Sequence, residues 1–199
     1  MPIFFYLIIY IKRKSKSTYR KKPYKKNLFI FGTAFGFGYY LFGIYWITYS
    51  LTFDENFKIL IPFSLILIPL FLSLFFSLLT VVIGPFLNLN ISSIFLLSGS
   101  LAFSDYLRAK VMTGFPWNLW AYSFSWATEI IQILNLVGLF AFNLISITIF
   151  MLPAILFFNI ALIKKLLSLF FIFSFLFLLY IYGNHSINKN RYFLKTCVR

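Results

Sequence analysis

The sequence predicts an all-α fold: a polytopic transmembrane helical bundle of about five full spans plus one partial N-terminal span. Three observations carry this. Of the 199 residues, 61% are hydrophobic and 11% charged, whereas soluble domains run at about 45–50% apolar and about 25% charged. The apolar residues, with a mean hydropathy of +0.90, fall in runs long enough to cross a bilayer as helix. The charge is lopsided, with 18 Lys and Arg against 4 Asp and Glu and a net charge of +14. The positive residues gather between the apolar runs, as in loops held on the cytoplasmic side.

Residues 1–11 form a partial transmembrane helix. Nine apolar residues rise only roughly 13–14 Å, against about 30 Å of hydrocarbon. Their basic residues follow the apolar run instead of preceding it, unlike a signal peptide. The segment reads as the tail of a membrane helix whose start lies outside the chain, or alternatively as an interfacial helix. Residues 12–27 form a basic cytoplasmic loop with nine Lys and Arg and no acid. Attraction to anionic lipid accounts for such a run beside a span; RNA binding and targeting are the competing uses, and no nucleic-acid partner is expected.

Residues 28–183 make up the bundle. Leu28 to Ser50 crosses first, with Gly32, Gly36 and Gly43 on one face for helix packing and Tyr45, Trp46 and Tyr49 at the outer interface. Leu51 to Lys58 is a short outer loop. Ile59 to Ile83 returns, loosened or kinked by Pro62 and Pro69, and Gly84-Pro85 ends it before an uncharged inner loop, Phe86 to Asn90. Ile91 to Lys110 crosses outward with a face of small residues, among them Ser98, Gly99, Ser100, Ala102 and Ser104, that suits the middle of a bundle. Trp126 to Ile163 is too long for one span. It is expected to begin along the interface and enter the membrane near Val137. Gln132, Asn135 and Asn143 are expected near one helical face, either bonding between helices or lining a cleft. Leu166 to Gly183 crosses last. Residues 184–199 form an extracytoplasmic tail.

The chain is organised around Ser104 to Ser123, SDYLRAKVMTGFPWNLWAYS. Asp105 and Arg108 sit at i, i+3, where they can pair. Gly114 permits unusual backbone angles, and Pro116 fixes its own φ and extends Phe115, so the helix must stop near Thr113. Phe115, Trp117, Trp120 and Tyr122 then crowd the turn with rings that favour the bilayer interface. Arg108 either anchors the helix through Asp105 or meets a lipid phosphate or carbonyl. Phe115, Pro116 and Trp117 either shape a lateral opening for lipid or seat the bundle at the interface. Thr113, Gly114 and Tyr122 complete the lipid- and substrate-facing candidates.

DYLRAKVMTGFPWNLWAYS resembles the signature of the membrane domain of bacterial apolipoprotein N-acyltransferases: acidic-aromatic-Leu-Arg, a spacer, Thr-Gly-Phe-Pro-Trp, then Gly-Tyr-Ser. Asp105 stands where the family more often has Glu, and Ala121 where it usually has Gly. The resemblance extends to GFGYYLFGIYWI (Gly36–Ile47) and LNLVGLFAFNLI (Leu134–Ile145). It implies a bacterial inner-membrane enzyme that moves an acyl chain from a phospholipid donor to the N-terminal diacylglyceryl-cysteine of a lipoprotein acceptor. In that family a nitrilase-type domain supplies a Glu base, a Lys and a Cys nucleophile that carries the acyl group as a thioester. Residues 184–199 contain Cys197 and Lys195 but no acid, so no catalytic residue is assigned in this chain. The resemblance implies that the tail is the start, as a first strand, of a nitrilase-type domain missing from this chain, and the membrane part is expected to be inactive alone. A single cysteine and a single His185 allow neither an internal disulfide nor a multi-Cys or His-pair metal set, and no metal or cofactor is expected. The alternative is a small membrane transporter or assembly scaffold. Against ion-coupled transport, Asp54, Glu55, Asp105 and Glu129 all fall near span ends rather than at mid-depth.

Overall fold

A computed structural model describes residues 1–17, 24–111, 116 and 118–197, with side chains as far as Lys189. Seven α-helices follow in order: α1 (Pro2–Ser17), α2 (Tyr24–Ile44), α3 (Ile61–Ile83), α4 (Ile91–Val111), α5 (Thr128–Ile131), α6 (Leu134–Met151) and α7 (Leu162–Cys197). Short 3₁₀ segments fill several connections, and no strand occurs among the described residues. The all-α bundle is therefore as expected.

Four stretches are long and apolar enough to cross a membrane: Tyr24–Thr52, Glu55–Phe86, Leu134–Phe157 and Leu162–Lys189. The fifth expected span, α4, has comparable length but carries Asp105, Arg108 and Lys110 in its last two turns. The apolar surface points outward. Phe63, Leu67 and Phe71 on α3 and Phe170, Phe173 and Phe177 on α7 are all more than half exposed, a distribution suited to lipid and costly in water.

The first helix is longer than its apolar run and packs inward. α1 continues through Ser17 into the basic stretch, and its apolar face is interior to the bundle rather than lying on a surface. Phe4, Phe5, Ile8 and Ile9 are at most 1% exposed. The Phe4 ring lies 4.2 Å from that of Phe35 on α2 and 5.9 Å, edge-on, from that of Phe76 on α3. Such contacts add to burial, since aromatic edges and faces carry opposite partial charge.

The α2–α3 contact is the most extensive in the bundle among the described residues, and its cause is chemical. A Cβ on Gly32 would fall on the Thr80 hydroxyl and 2.8 Å from the Phe76 carbonyl oxygen; on Gly36 it would lie 3.0 Å from Ser73 Cα. The backbones approach because these side chains are absent. Hydroxyls then bridge the seam. Thr80 donates to the Leu28 carbonyl at 2.9 Å, and the Thr33 and Ser77 hydroxyls share a 2.7 Å bond. Pro69 lies inside α3 without interrupting it, and Pro62 stands in its first turn, where a missing N–H costs nothing.

Chain ends and loops sort to two ends. At the basic end, Lys12 donates to the Leu87 carbonyl at 2.8 Å and to Asn88 Oδ1 at 3.3 Å, while Lys165 reaches the Leu156 carbonyl. Lys12 is 8% exposed, so it caps the 84–90 turn instead of belonging to a solvated loop. At the other end lie residues 45–60, 118–133 and Gly183, where a Cβ would fall on the Glu129 backbone. α6 is broken at Gly138 (φ 75°, ψ 170°), a conformation that favours glycine. The break lies one residue beyond Val137, where the sequence predicts entry into the membrane. The break separates Gln132 and Asn135, which bond weakly to each other at 3.5 Å, from Asn143, so the three do not form one face. The tail is helical through Cys197, not a strand.

Gly32→Ala is expected to destabilise the chain by about 1–3 kcal/mol through overpacking, while Gly38→Ala, whose Cβ would meet nothing within 4 Å, leaves it unchanged or slightly more stable. Denaturant unfolding in mixed micelles reads both.

Candidate functional site

The C-terminal end of α4 holds a buried charged cluster. α4 buries the stripe Ile94, Leu97, Ser98, Leu101, Asp105 and Arg108, the three-and-four spacing of one helix face. The charged pair therefore faces inward by the same periodicity that buries Leu97. Arg108 is 1% exposed and Asp105 6%.

Asp105 is shared between two donors. Arg108 Nη2 donates to Oδ1 at 3.2 Å, and Asn143 Nδ2 on α6 donates to Oδ2 at 2.9 Å. The Asn143 carbonyl oxygen then accepts from the Ala121 backbone N–H at 3.1 Å. One carboxylate and one amide thus connect α4, α6 and the loop that follows Pro116. The Arg108 guanidinium lies 5.3 Å from the Tyr40 ring centre, where the ring face attracts a cation. Arg108 Nε has no hydrogen-bond partner among the described residues.

The loop is clamped from α2 as well. The Tyr39 hydroxyl donates to the Asn118 carbonyl at 2.6 Å, and the Tyr39 and Trp120 rings stack at 4.5 Å. Asn118 adopts φ 49°, a left-handed conformation that asparagine tolerates better than most residues. Its side chain fills the space that a Cβ on Gly43 would occupy. Gly43 therefore admits a loop residue, unlike Gly32 and Gly36, which admit a helix.

The expected site residues separate into groups. Thr113, Gly114, Phe115 and Trp117 lie outside the described residues. Pro116 is half-buried. Tyr122 is 45% exposed and lies outside the spans; partial burial raises its phenol above the usual value, against a smaller opposing pull from the Arg108 charge. Ser98 is buried and Ala102 half-buried on the inner face of α4, while a Cβ on Gly99 would meet nothing within 4 Å. The geometry of Arg108 matches the anchoring alternative: its guanidinium is enclosed, with Asp105 as its ion-pair partner. Asn143 is the residue that sequence reasoning undervalued. The available signal was an asparagine in an apolar run, a group that must find a partner once buried.

Chemically the cluster is a brace. It holds one carboxylate, and among the described residues no group of three or more His, Cys, Asp or Glu converges. A family model described as the apolipoprotein N-acyltransferase N-terminal domain matches residues 2–152. The chain belongs to this family. Among its curated relatives, the apolipoprotein N-acyltransferase of Rhodopseudomonas palustris is 33% identical over 126 residues, 63% of this chain and 24% of that protein. Those of Rickettsia bellii and Brucella suis are 35% and 30% identical over 117 and 126 residues, covering 58% and 63% of this chain and 23% and 24% of theirs. The aligned part is thus about a quarter of each of these relatives. No solved structure matches the chain. The brace and the α2–α3 seam both fall inside the stretch shared with the apolipoprotein N-acyltransferase family.

Asp105→Asn should leave the Arg108 guanidinium buried without its counter-charge and cost about 3–5 kcal/mol. The joint replacement Asp105→Leu with Arg108→Met should cost less than Asp105→Asn. Asn143→Leu, which strands the Ala121 N–H, should cost about 1–3 kcal/mol. Unfolding in micelles across this set measures the coupling.

Proposed function

We propose that this chain is the membrane part of an apolipoprotein N-acyltransferase. In this reading the enzyme takes an acyl chain from a phospholipid and gives it to the amino group of an N-terminal diacylglyceryl-cysteine on a lipoprotein. The family match over residues 2–152 carries the proposal. The nucleophile, base and oxyanion donor would come from a nitrilase-type domain beyond this membrane part, which by itself is inactive.

The buried brace supports a division of labour. Acyl transfer between two lipid-borne substrates needs a catalytic head held at a fixed height over the bilayer, because misplacement by an ångström costs rate steeply. Arg108 serves as a positioning residue that fixes α4 and the following loop. Tyr122 and Pro116 stand at the surface of that loop, and with the Thr-Gly-Phe-Trp residues around them would form the lip that lipid passes. The basic end faces the cytoplasm and the brace the opposite side of the bacterial inner membrane, as the positive-inside rule requires.

Two measurements test this. In the Rhodopseudomonas palustris relative, the aligned segment is replaced by that of this chain, and acylation of a diacylglyceryl-cysteine peptide is followed. Retained transfer is expected; a folded, membrane-inserted chimera with none overturns the assignment. Topology is read with an impermeant maleimide in a Cys197→Ser background. Asn184→Cys should label in intact spheroplasts and Lys25→Cys only after permeabilisation. The reverse pattern would put the brace in the wrong compartment.

A further inference from the structure

At the basic end, away from the brace, a cavity of about 400 Å³ opens beside α1. It is lined by Tyr6, Ile9, Tyr10, Arg13, Lys14 and Leu89. Its chemistry is graded along the helix. Tyr6, Tyr10 and Lys14 follow one another at i, i+4 and i+8, a single stripe. The Tyr6 and Tyr10 rings stack at 6.4 Å, and Lys14 Nζ lies 5.7 Å from the Tyr10 ring centre. The stripe thus runs from apolar surface through two amphipathic rings to charge, the order in which a bilayer runs from acyl chain through the glycerol region to headgroup.

The cavity has a fixed floor. Lys12 points inward to the Leu87 carbonyl and Asn88, which holds the turn carrying Leu89 against α1. Arg13 and Lys14, on the next residues, are exposed at the rim. No acid occurs anywhere in residues 1–53, so the charge carried by this part of the sequence is wholly basic.

We propose that this cavity binds an anionic phospholipid of the leaflet bordering the basic end. Its phosphate meets Arg13 and Lys14, and one acyl chain lies along Tyr6 and Ile9. Arg suits the phosphate because its planar fork presents paired donors. The site is separate from the proposed acyl-donor lip at the far end of the bundle, and its occupancy does not depend on the acyl-transfer reading.

The test uses the full chain, delipidated in detergent and titrated with phosphatidylglycerol, phosphatidylcholine or inorganic phosphate, with bound lipid counted by native mass spectrometry. Phosphatidylglycerol should be retained over phosphatidylcholine, and the pair Arg13→Gln, Lys14→Gln should lower its retention roughly ten- to thirty-fold, the effect of two basic residues at an anionic surface. Lys25→Gln with Lys26→Gln, exposed residues of the same basic run that do not line the cavity, should change it less than about twofold. Equal losses from the two pairs would reveal diffuse attraction and overturn the site. So would equal retention of phosphatidylcholine. Displacement of the lipid by millimolar inorganic phosphate would mean that a free anion, not a lipid, is the ligand, and would also overturn it. Both pairs alter exposed side chains, and an unchanged helical circular dichroism spectrum verifies folding.

Discussion

The Asp105 carboxylate is the constraint on which the half of this molecule away from the basic end depends. An ionised group withdrawn from water loses several kcal/mol of hydration, and only good geometry repays it. Here one oxygen accepts from Arg108 and the other from Asn143. Replacing the set by hydrocarbon could keep the helices packed, but hydrocarbon carries no register. α4 cannot slide along α6 by a turn without stranding a charge. The Ala121 N–H extends that register to the loop, so the loop's position inherits the precision of a buried ion pair.

The half towards the basic end is ordered by different means. Between α2 and α3 the specificity lies in what is absent, two side chains at Gly32 and Gly36, and in hydroxyls that fill the resulting approach. In lipid, apolar surface alone does not drive helices together, and close packing with a few polar bonds takes over that role. α1 adds a wedge of phenylalanines to the same seam. The bundle is thus held by shape at one end and by charge at the other.

Much of this was legible in the amino acids. Runs of hydrocarbon-length apolarity located α2, α3, α6 and α7, and the i, i+3 spacing paired Asp105 with Arg108. The glycine spacing anticipated the α2–α3 contact. What escaped was whatever depended on three-dimensional partners. Asn143 gains its importance from a carboxylate 38 positions away. Lys12 looks like one more loop cation until the Leu87 carbonyl appears beside it. Gly43 shares a face with Gly32 in the helix, yet the neighbour it accommodates is a loop asparagine. The strand expected in the tail failed because a helix that has crossed the membrane continues without a breaker: no proline or glycine occurs after Gly183.

That continuation has a mechanical consequence. α7 has 36 residues, about 54 Å of helix, against about 30 Å of hydrocarbon. It passes Glu129 where Gly183 seats directly on the Glu129 backbone, and so projects from there as a shaft with a fixed seat. Each residue added to or removed from the shaft beyond Gly183 would rotate any attached body by about 100° and shift it by about 1.5 Å. The length of this segment is therefore an angular setting as much as a distance, and composition there matters less than count.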